Sequence, residues 1–183
     1  MMIDYVTLML TNMVCSFVIL AFFLVWGLES EDKKRWSPAF GISGLVATVC
    51  GFRMSFTWPL PVPYNCAYGE MSVLLGVLFL GASWSLAKEW DLLPLGIYAF
   101  FAGGAACLLG VRIIDQHLTL TPLMSGVGFI LSGACGLFAG LVLWYRKIKS
   151  LRVLGAAVLL IAAAIWLLTA YEAYWSHLAA KAK

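Results

Sequence analysis

The sequence predicts an all-α membrane protein with six transmembrane helices in a single domain, residues 1–183. Two observations indicate this class. Hydrophobic residues make up 63% of the chain and charged residues 11%, whereas soluble domains have roughly 50% and 25%. The apolar residues are also gathered into six long stretches. Too few polar side chains remain to coat a water-soluble globule, which excludes a soluble enzyme and a disordered chain.

Each apolar stretch has close to the roughly 20 residues that cross a bilayer core. Short charged or proline-rich connectors separate the stretches. The predicted spans are 5–28, 36–60, 69–87, 92–113, 122–145 and 152–178. No connector is long enough for a soluble domain, so any function must reside in the bundle or its loops.

Lysine and arginine are distributed unevenly between the two sides of the predicted bundle. One side carries Lys33, Lys34, Arg35, Lys88, Arg146, Lys147, Lys149 and Arg152, and the other carries Arg53, Arg112, Lys181 and Lys183. The richer side normally faces the cytoplasm. We therefore expect a multi-pass protein of the prokaryotic plasma (inner) membrane with both termini outside the cytoplasm.

An internal repeat is predicted by sliding the chain against itself. A shift of 59 residues aligns the second and third spans with the fourth and fifth without a gap. It superimposes several glycines, Gly69 on Gly128 among them, and places Arg53 on Arg112. A shift by two spans preserves direction, so the repeats would be parallel. Small residues at repeated positions favour close helix approach in lipid.

Ionisable side chains gather on the side that carries the termini, and they form the candidate solute vestibule. Its members are Arg53, Glu70, Arg112, Asp115, His117 and Glu172. Charged groups at membrane depth usually point inward or pair. The prolines of the segment WPLPVP, at 58–63, would fold that loop back over the mouth. The alternative is that these residues are interfacial, with snorkelling arginines inside an aromatic belt.

Catalytic and metal chemistry find little support in the sequence. No nucleophile–base motif, phosphate-binding loop or zinc motif is present. The two histidines, His117 and His177, both lie near one rim, which disfavours a bis-histidine haem. The five cysteines fit no metal or disulfide framework and are interpreted as packing residues. We therefore expect no catalytic residues, no metal and no cofactor.

Three segments resemble a known family. They are YGEMSVLLGVLFL at 68–80, WDLLPLGIYAFF at 90–101 and HLTLTP at 117–122. They are similar to the six-helix urea and amide channels and, more faintly, to the acetate/succinate permeases. The resemblance implies six helices per subunit, termini outside the cytoplasm, and a ring of six subunits, each with its own pore. The whole chain also resembles a family of prokaryotic six-span membrane proteins with no assigned function.

The chain departs from the channel family at the solute filter. Those channels line a constriction with tryptophans in the fifth span, where this chain has Gly128, Phe129, Leu131 and Cys135. Residues 157–164 also lack the acidic residue that the family carries early in its sixth span. The resemblance therefore implies a shared fold and assembly, but not a shared filter.

These observations predict a channel or facilitator for a small polar or weakly ionised solute, of the urea/amide or short carboxylate class. Its expected partners are membrane lipid, the solute and further copies of itself, a hexamer by resemblance. The small net charge of +3 excludes nucleic acid as a partner. The alternative is a non-catalytic subunit of a membrane redox or respiratory assembly that binds lipid, quinone, haem or pigment.

Overall fold

The computed structural model describes residues 5–61 and 64–180. This part of the chain contains helices and no β-strand. The helices are α1 (Val6–Phe22), α2 (Ser37–Thr57), α3 (Met71–Ala87), α4 (Leu95–Asp115), α5 (Pro122–Trp144) and α6 (Lys149–Ala180). With their short helical extensions, all six are long and apolar enough to cross a membrane. The predicted all-α, six-span class is confirmed.

The six helices alternate in direction, so the start of α1 and the end of α6 lie on one side. We call this the terminal side; it holds the connectors 58–64 and 116–121. The opposite, basic side holds the connectors 28–33, 88–94 and 145–148.

Three helices have irregular ends. A π-helical turn at Phe23–Gly27 continues α1, another at Asn65–Glu70 precedes α3, and a 3-10 turn at Lys34–Trp36 precedes α2. A π turn contains an extra residue and frequently marks a functional position. Both π turns lie beside the buried polar groups described below.

The described part of the proline-rich connector after α2 is hydrogen-bonded to the first residue of the π turn that precedes α3. That the connector covers the mouth of the bundle stays a prediction. Trp58 ends α2 in the left-handed conformation, with φ of 43°. The buried side chain of Asn65 accepts the Leu60 N–H at 3.1 Å and donates to the carbonyls of Leu60 and Pro61. One amide side chain thus satisfies backbone groups that prolines leave without helical partners. Pro63 lies outside the described residues.

The helices pack in a ring in which each contacts its neighbours in sequence, and α1 closes the ring against α6. Large side chains fill the interior. On the basic side, Phe40 packs against Phe23 and Phe79, with ring centroids 5.3 and 5.1 Å apart. On the terminal side, Phe129 and Trp166 pack with centroids 5.0 Å apart.

Two hairpins in the ring, α2–α3 and α4–α5, are held together by paired glycines. The pairs are Gly44 with Gly76 and Gly51 with Gly69 in the first hairpin, and Gly103 with Gly133 and Gly110 with Gly126 in the second. On each helix the two glycines are seven residues apart, the period of a left-handed supercoil. Added Cβ atoms on seven of these eight glycines, all except Gly69, would strike the backbone of the facing helix: one on Gly110 would lie 2.6 Å from the Gly126 carbonyl oxygen.

These pairs confirm the internal repeat and correct its register. From α2 to α4 the offset is 59 residues, as Gly44 to Gly103 shows. From α3 to α5 it is 57 residues, as Gly76 to Gly133 shows. The ungapped alignment was therefore wrong for the second helix. Gly128, which it matched with Gly69, instead faces Trp166. The first hairpin has two more residues between its paired glycines, in the segment that contains its connector and π turn.

Candidate functional site

The charged residues predicted to form a vestibule are all exposed in the described part of the chain. Arg112 and Asp115, three residues apart on α4, form an ion pair at 3.0 Å, and both side chains are more than half exposed. Gln116 also donates to Asp115 at 2.6 Å. The charge of Arg112 is therefore largely neutralised locally.

The other four predicted residues are exposed as well. Arg53, Glu70, His117 and Glu172 have no ion pair with any residue in the described part of the chain. Glu70 interacts with the thiol of Cys66 in the preceding turn. His117 occupies a connector, with φ of 50°. Of the six, only Arg112 and Asp115 are joined by an ion pair.

A different group of side chains meets inside the bundle on the terminal side. We call it the hydroxyl–aromatic cluster; its members are Tyr68, Thr119, Ser125, Phe129, Ser132 and Trp166. They come from the π turn before α3, the 116–121 connector, α5 and α6. All of these side chains are uncharged, and no motif in the sequence marks them as a group.

Trp166 and Ser132 form the inner end of this cluster. The fully buried indole of Trp166 donates its N–H to the hydroxyl of Ser132 at 3.1 Å. Ser132 in turn donates to the Gly128 carbonyl at 2.6 Å. A methyl group on Gly128 would lie 3.0 Å from the indole, so a larger residue there would crowd the ring. The glycine explains how tryptophan fits against α5.

Tyr68 forms the outer end. Its ring lies 5.8 Å from Phe129 and 6.4 Å from Trp166, centroid to centroid. Its hydroxyl interacts with that of Ser125, which accepts a hydrogen bond from Thr119 at 3.2 Å. A row of neutral hydrogen-bonding groups thus extends from the 116–121 connector toward the interior, flanked by aromatic faces.

A second buried polar contact joins α1 to α2. Asn12 donates to the Ser43 carbonyl at 3.0 Å, and Ser16 donates to the Asn12 carbonyl at 2.7 Å. The hydroxyls of Ser16 and Ser43 also form a hydrogen bond. Polar side chains of this kind stabilise helix pairs in lipid by about 0.6 kcal/mol on average. Their geometry is explained by helix association alone.

Arg152 is the one charged side chain that is buried within the described residues. It is 8% exposed and donates from Nη1 to the carbonyls of Leu24 and Val25 at 3.1 and 3.4 Å. These carbonyls belong to the π turn after α1. Arg152 is the first residue of the sixth predicted span and was counted with the cations of the basic side. The helix begins three residues earlier, at Lys149, and the burial of this arginine was not predicted.

Ion pairs tie the basic-side connectors together. Arg146 contacts Glu29 at 3.6 Å and Asp91 at 3.9 Å, and Lys34 contacts Glu89 at 3.1 Å. All of these side chains are at least one-third exposed, so each pair contributes roughly 0–1 kcal/mol. Their joint effect is to hold three connectors near one another.

No metal-binding cluster is evident in the described part of the chain: no three side chains of His, Cys, Asp or Glu are grouped to hold an ion. The hydroxyl–aromatic cluster offers hydrogen-bond donors, acceptors and ring faces, which are suited to neutral polar molecules rather than to ions.

Six apolar helices, each long enough to cross a bilayer, define a multi-pass α-helical membrane protein. Residues 1–180 match the model of the family described as "Protein of unknown function (DUF981)", and the chain belongs to this family. Neither the curated proteins nor the solved structures contain a match to the chain. The comparisons therefore give no support to the resemblance to the urea and amide channels.

Proposed function

We propose that the protein is a passive facilitator for a small, uncharged polar solute, and that the hydroxyl–aromatic cluster is its selective constriction. The observation that carries the proposal is the hydrogen bond between Trp166 and Ser132 inside a bundle of apolar helices. Buried polar groups need partners, and groups that bond to one another across helices can exchange those bonds for a passing solute.

The absence of charge in this cluster favours neutral solutes. Moving an ion past hydroxyl groups without a compensating charge is costly in a poorly polar interior. The pairing of Arg112 with Asp115 also weakens any attraction of anions to the mouth. We therefore favour urea and short amides over short carboxylates, which narrows the class expected from the sequence.

The same cluster would act as the gate. Tyr68, Phe129 and Trp166 pack with centroids 5.0–6.4 Å apart, a normal packing distance for aromatic rings. Passage would require one of these rings to rotate. Tyr68 is the favoured one, because it lies nearest the terminal side, on the irregular π turn.

The membrane, orientation and assembly form part of the same proposal. The lysine and arginine distribution supports the basic side facing the cytoplasm of a prokaryotic cell, with both termini outside. The exposed apolar face of α4, which includes Ile97, Phe101 and Leu108, would face lipid or another subunit. A homo-oligomer, hexameric by the channel resemblance, remains the proposed assembly.

The experiment is stopped-flow swelling of proteoliposomes with urea, acetamide, glycerol, formate and acetate. Proteoliposomes that contain the purified protein should take up at least one neutral solute faster than protein-free liposomes do. Tyr68→Phe and Ser132→Ala keep the cluster's shape but remove a hydroxyl, and each should change that rate several-fold. Ser55→Ala is the matched control, since Ser55 bonds only within α2, to the Gly51 carbonyl.

Two results would overturn the proposal. One is that proteoliposomes containing folded protein are no more permeable than protein-free liposomes to any of the solutes. The other is a transport rate that Tyr68→Phe, Ser132→Ala and Ser55→Ala leave equally unchanged.

The alternative function, a non-catalytic subunit of a redox or respiratory assembly, has one observation in its favour. An open apolar groove of about 400 Å³ lies on the terminal side, lined by Thr121, Pro122, Leu123, Met124, Val127 and Ile165. Such a groove could hold a quinone tail or a helix of a partner chain. Purification with an absorbing cofactor or with stoichiometric partner chains would favour this alternative.

A further inference from the structure

A second groove lies on the basic side, where α5 ends and α6 begins. It has a volume of about 380 Å³ and is lined by Leu141, Tyr145, Ile148, Ser150, Leu151 and Leu154. Its walls are mostly hydrocarbon, and it opens to the exterior of the bundle. A groove of this kind along a membrane helix suits an acyl chain.

The charges at this groove are unbalanced. Lys147 and Lys149 flank Ile148, and both are exposed. Neither forms an ion pair with a residue of the described chain, whereas their neighbour Arg146 is engaged by Glu29 and Asp91. The segment that contributes Ile148 and Ser150 to the groove therefore carries two cations that have no counter-charge within the described chain.

We propose that this groove binds an anionic phospholipid, with one acyl chain along Leu151 and Leu154 and the phosphate held by Lys147, Lys149 and Ser150. The apolar walls argue for a lipid rather than free phosphate, and the lysines argue for an anionic headgroup rather than a zwitterionic one. Basic pockets between membrane helices bind anionic headgroups by this logic. The amide groups in the first turn of α6 add to the attraction of the phosphate.

This inference is independent of solute transport, because the groove lies on the outer surface of α5 and α6. The lipid would fix the turn between these helices, and with it the angle at which α6 approaches α5. Since α6 contributes Trp166, the bound lipid would also support the hydroxyl–aromatic cluster from a distance.

The test uses the full-length protein in detergent, titrated with phosphatidylglycerol or with phosphatidylcholine of identical acyl chains. Binding is followed by native mass spectrometry and by thermal unfolding. A lysine near an anionic headgroup contributes roughly a fivefold preference, so two lysines predict a preference for phosphatidylglycerol of roughly 25-fold. The double variant Lys147→Glu/Lys149→Glu should lose most of this preference.

A charge-matched control distinguishes lipid binding at this groove from a general attraction of anionic lipids to the basic side. The double variant Lys33→Glu/Lys88→Glu makes the same change in net charge on the basic side, outside the groove, and should keep the preference. A third variant, Leu154→Trp, fills the groove and should weaken binding of both lipids without changing their ratio. Equal binding of the two lipids by the parent protein would overturn the proposal. Equal loss of preference in the two double variants would overturn it as well.

Discussion

Gly44 and Gly76 lie in backbone contact across α2 and α3. A methyl group on Gly44 would stand 2.8 Å from the carbonyl oxygen of Gly76, and one on Gly76 would stand 2.9 Å from that of Gly44. The contact is reciprocal, and Gly103 and Gly133 repeat it in the α4–α5 hairpin. Because lipid provides no hydrophobic drive between helices, this close backbone packing is the main attraction within each hairpin.

Gly110→Ala should destabilise the protein. The added methyl group would lie 2.6 Å from the Gly126 carbonyl oxygen and 3.0 Å from the Ile130 nitrogen, and backbone atoms cannot move aside as a side chain can. We expect a loss of about 1–3 kcal/mol, measured by thermal unfolding in detergent. Gly104→Ala is the control in the same helix, since its methyl group would meet only a leucine side chain at 3.8 Å. Equal stability of the two variants would contradict the packing described for this hairpin.

Ser132→Ala should lower the stability of the folded protein by more than the removal of one hydroxyl group alone would. It leaves the buried indole N–H of Trp166 without its acceptor, which costs roughly 1–3 kcal/mol. Trp166→Phe removes the donor instead. The double variant should therefore be less destabilised than the sum of the two single variants, as a double-mutant cycle of thermal unfolding would show. Additive effects would mean that the hydrogen bond contributes no coupling.

Arg152→Met should destabilise the contact between α1 and α6. It retains much of the buried length of the side chain but leaves the Leu24 and Val25 carbonyls without their charged donor. Hydrogen bonds to charged groups contribute about 1.5–3 kcal/mol each. In detergent without added lipid, Lys149→Met, three residues earlier and exposed, should leave the melting temperature within a degree or two of the parent. Should Arg152→Met prove as stable as Lys149→Met, the π turn would not need the guanidinium.

Arg53→Ala should have little effect on stability. Arg53 is exposed and has no ion pair within the described residues, and surface substitutions of this kind usually change stability by less than about 0.5 kcal/mol. Thermal unfolding of the variant beside the parent checks this. A large loss would mean that Arg53 is paired and desolvated in the membrane, as the vestibule hypothesis requires.

The proposed orientation predicts which side reacts with a membrane-impermeant maleimide. In a cysteine-free background, Gln116→Cys on the terminal side should be labelled in intact cells. Lys88→Cys on the basic side should be labelled only after lysis. The reverse pattern would place the termini in the cytoplasm.

Much of the fold could be predicted, because each membrane span is visible in the sequence as a long run of apolar residues. A run of about 20 apolar residues has few alternatives to a transmembrane helix, and the predicted fourth span, 92–113, differs from Leu95–Asp115 by two or three residues at each end. The register of the repeat was harder. In so apolar a chain, chance glycine matches compete with real ones, and only backbone contacts distinguish Gly126 from Gly128 as the partner of Gly110.

The candidate site was less predictable, because charged residues are conspicuous in an apolar sequence and neutral polar residues are not. Arg53 and Glu172 stand out in this way, yet both are exposed and neither has an ion pair within the described residues. Trp166 and Ser132 are individually ordinary, and 34 residues separate them. Only the packing of α5 against α6 makes them a pair. The burial of Arg152 was likewise unpredictable from the sequence. Its partners are the backbone carbonyls of Leu24 and Val25, and no side-chain pattern marks such partners.

The closure of the ring between α1 and α6 has a consequence for biogenesis. Among the six helices, α1 is synthesised before the others and packs against α6, which is synthesised after them. The two glycine hairpins can therefore insert and pair before α1 meets α6. Until α6 is synthesised, the π turn at Phe23–Gly27 lacks its hydrogen bonds from the guanidinium of Arg152. That arginine lies 128 residues after Leu24 in the chain. Completion of the bundle is thus a C-terminal event, and a nascent chain arrested before residue 149 would leave α1 without this neighbour, exposed to membrane quality control.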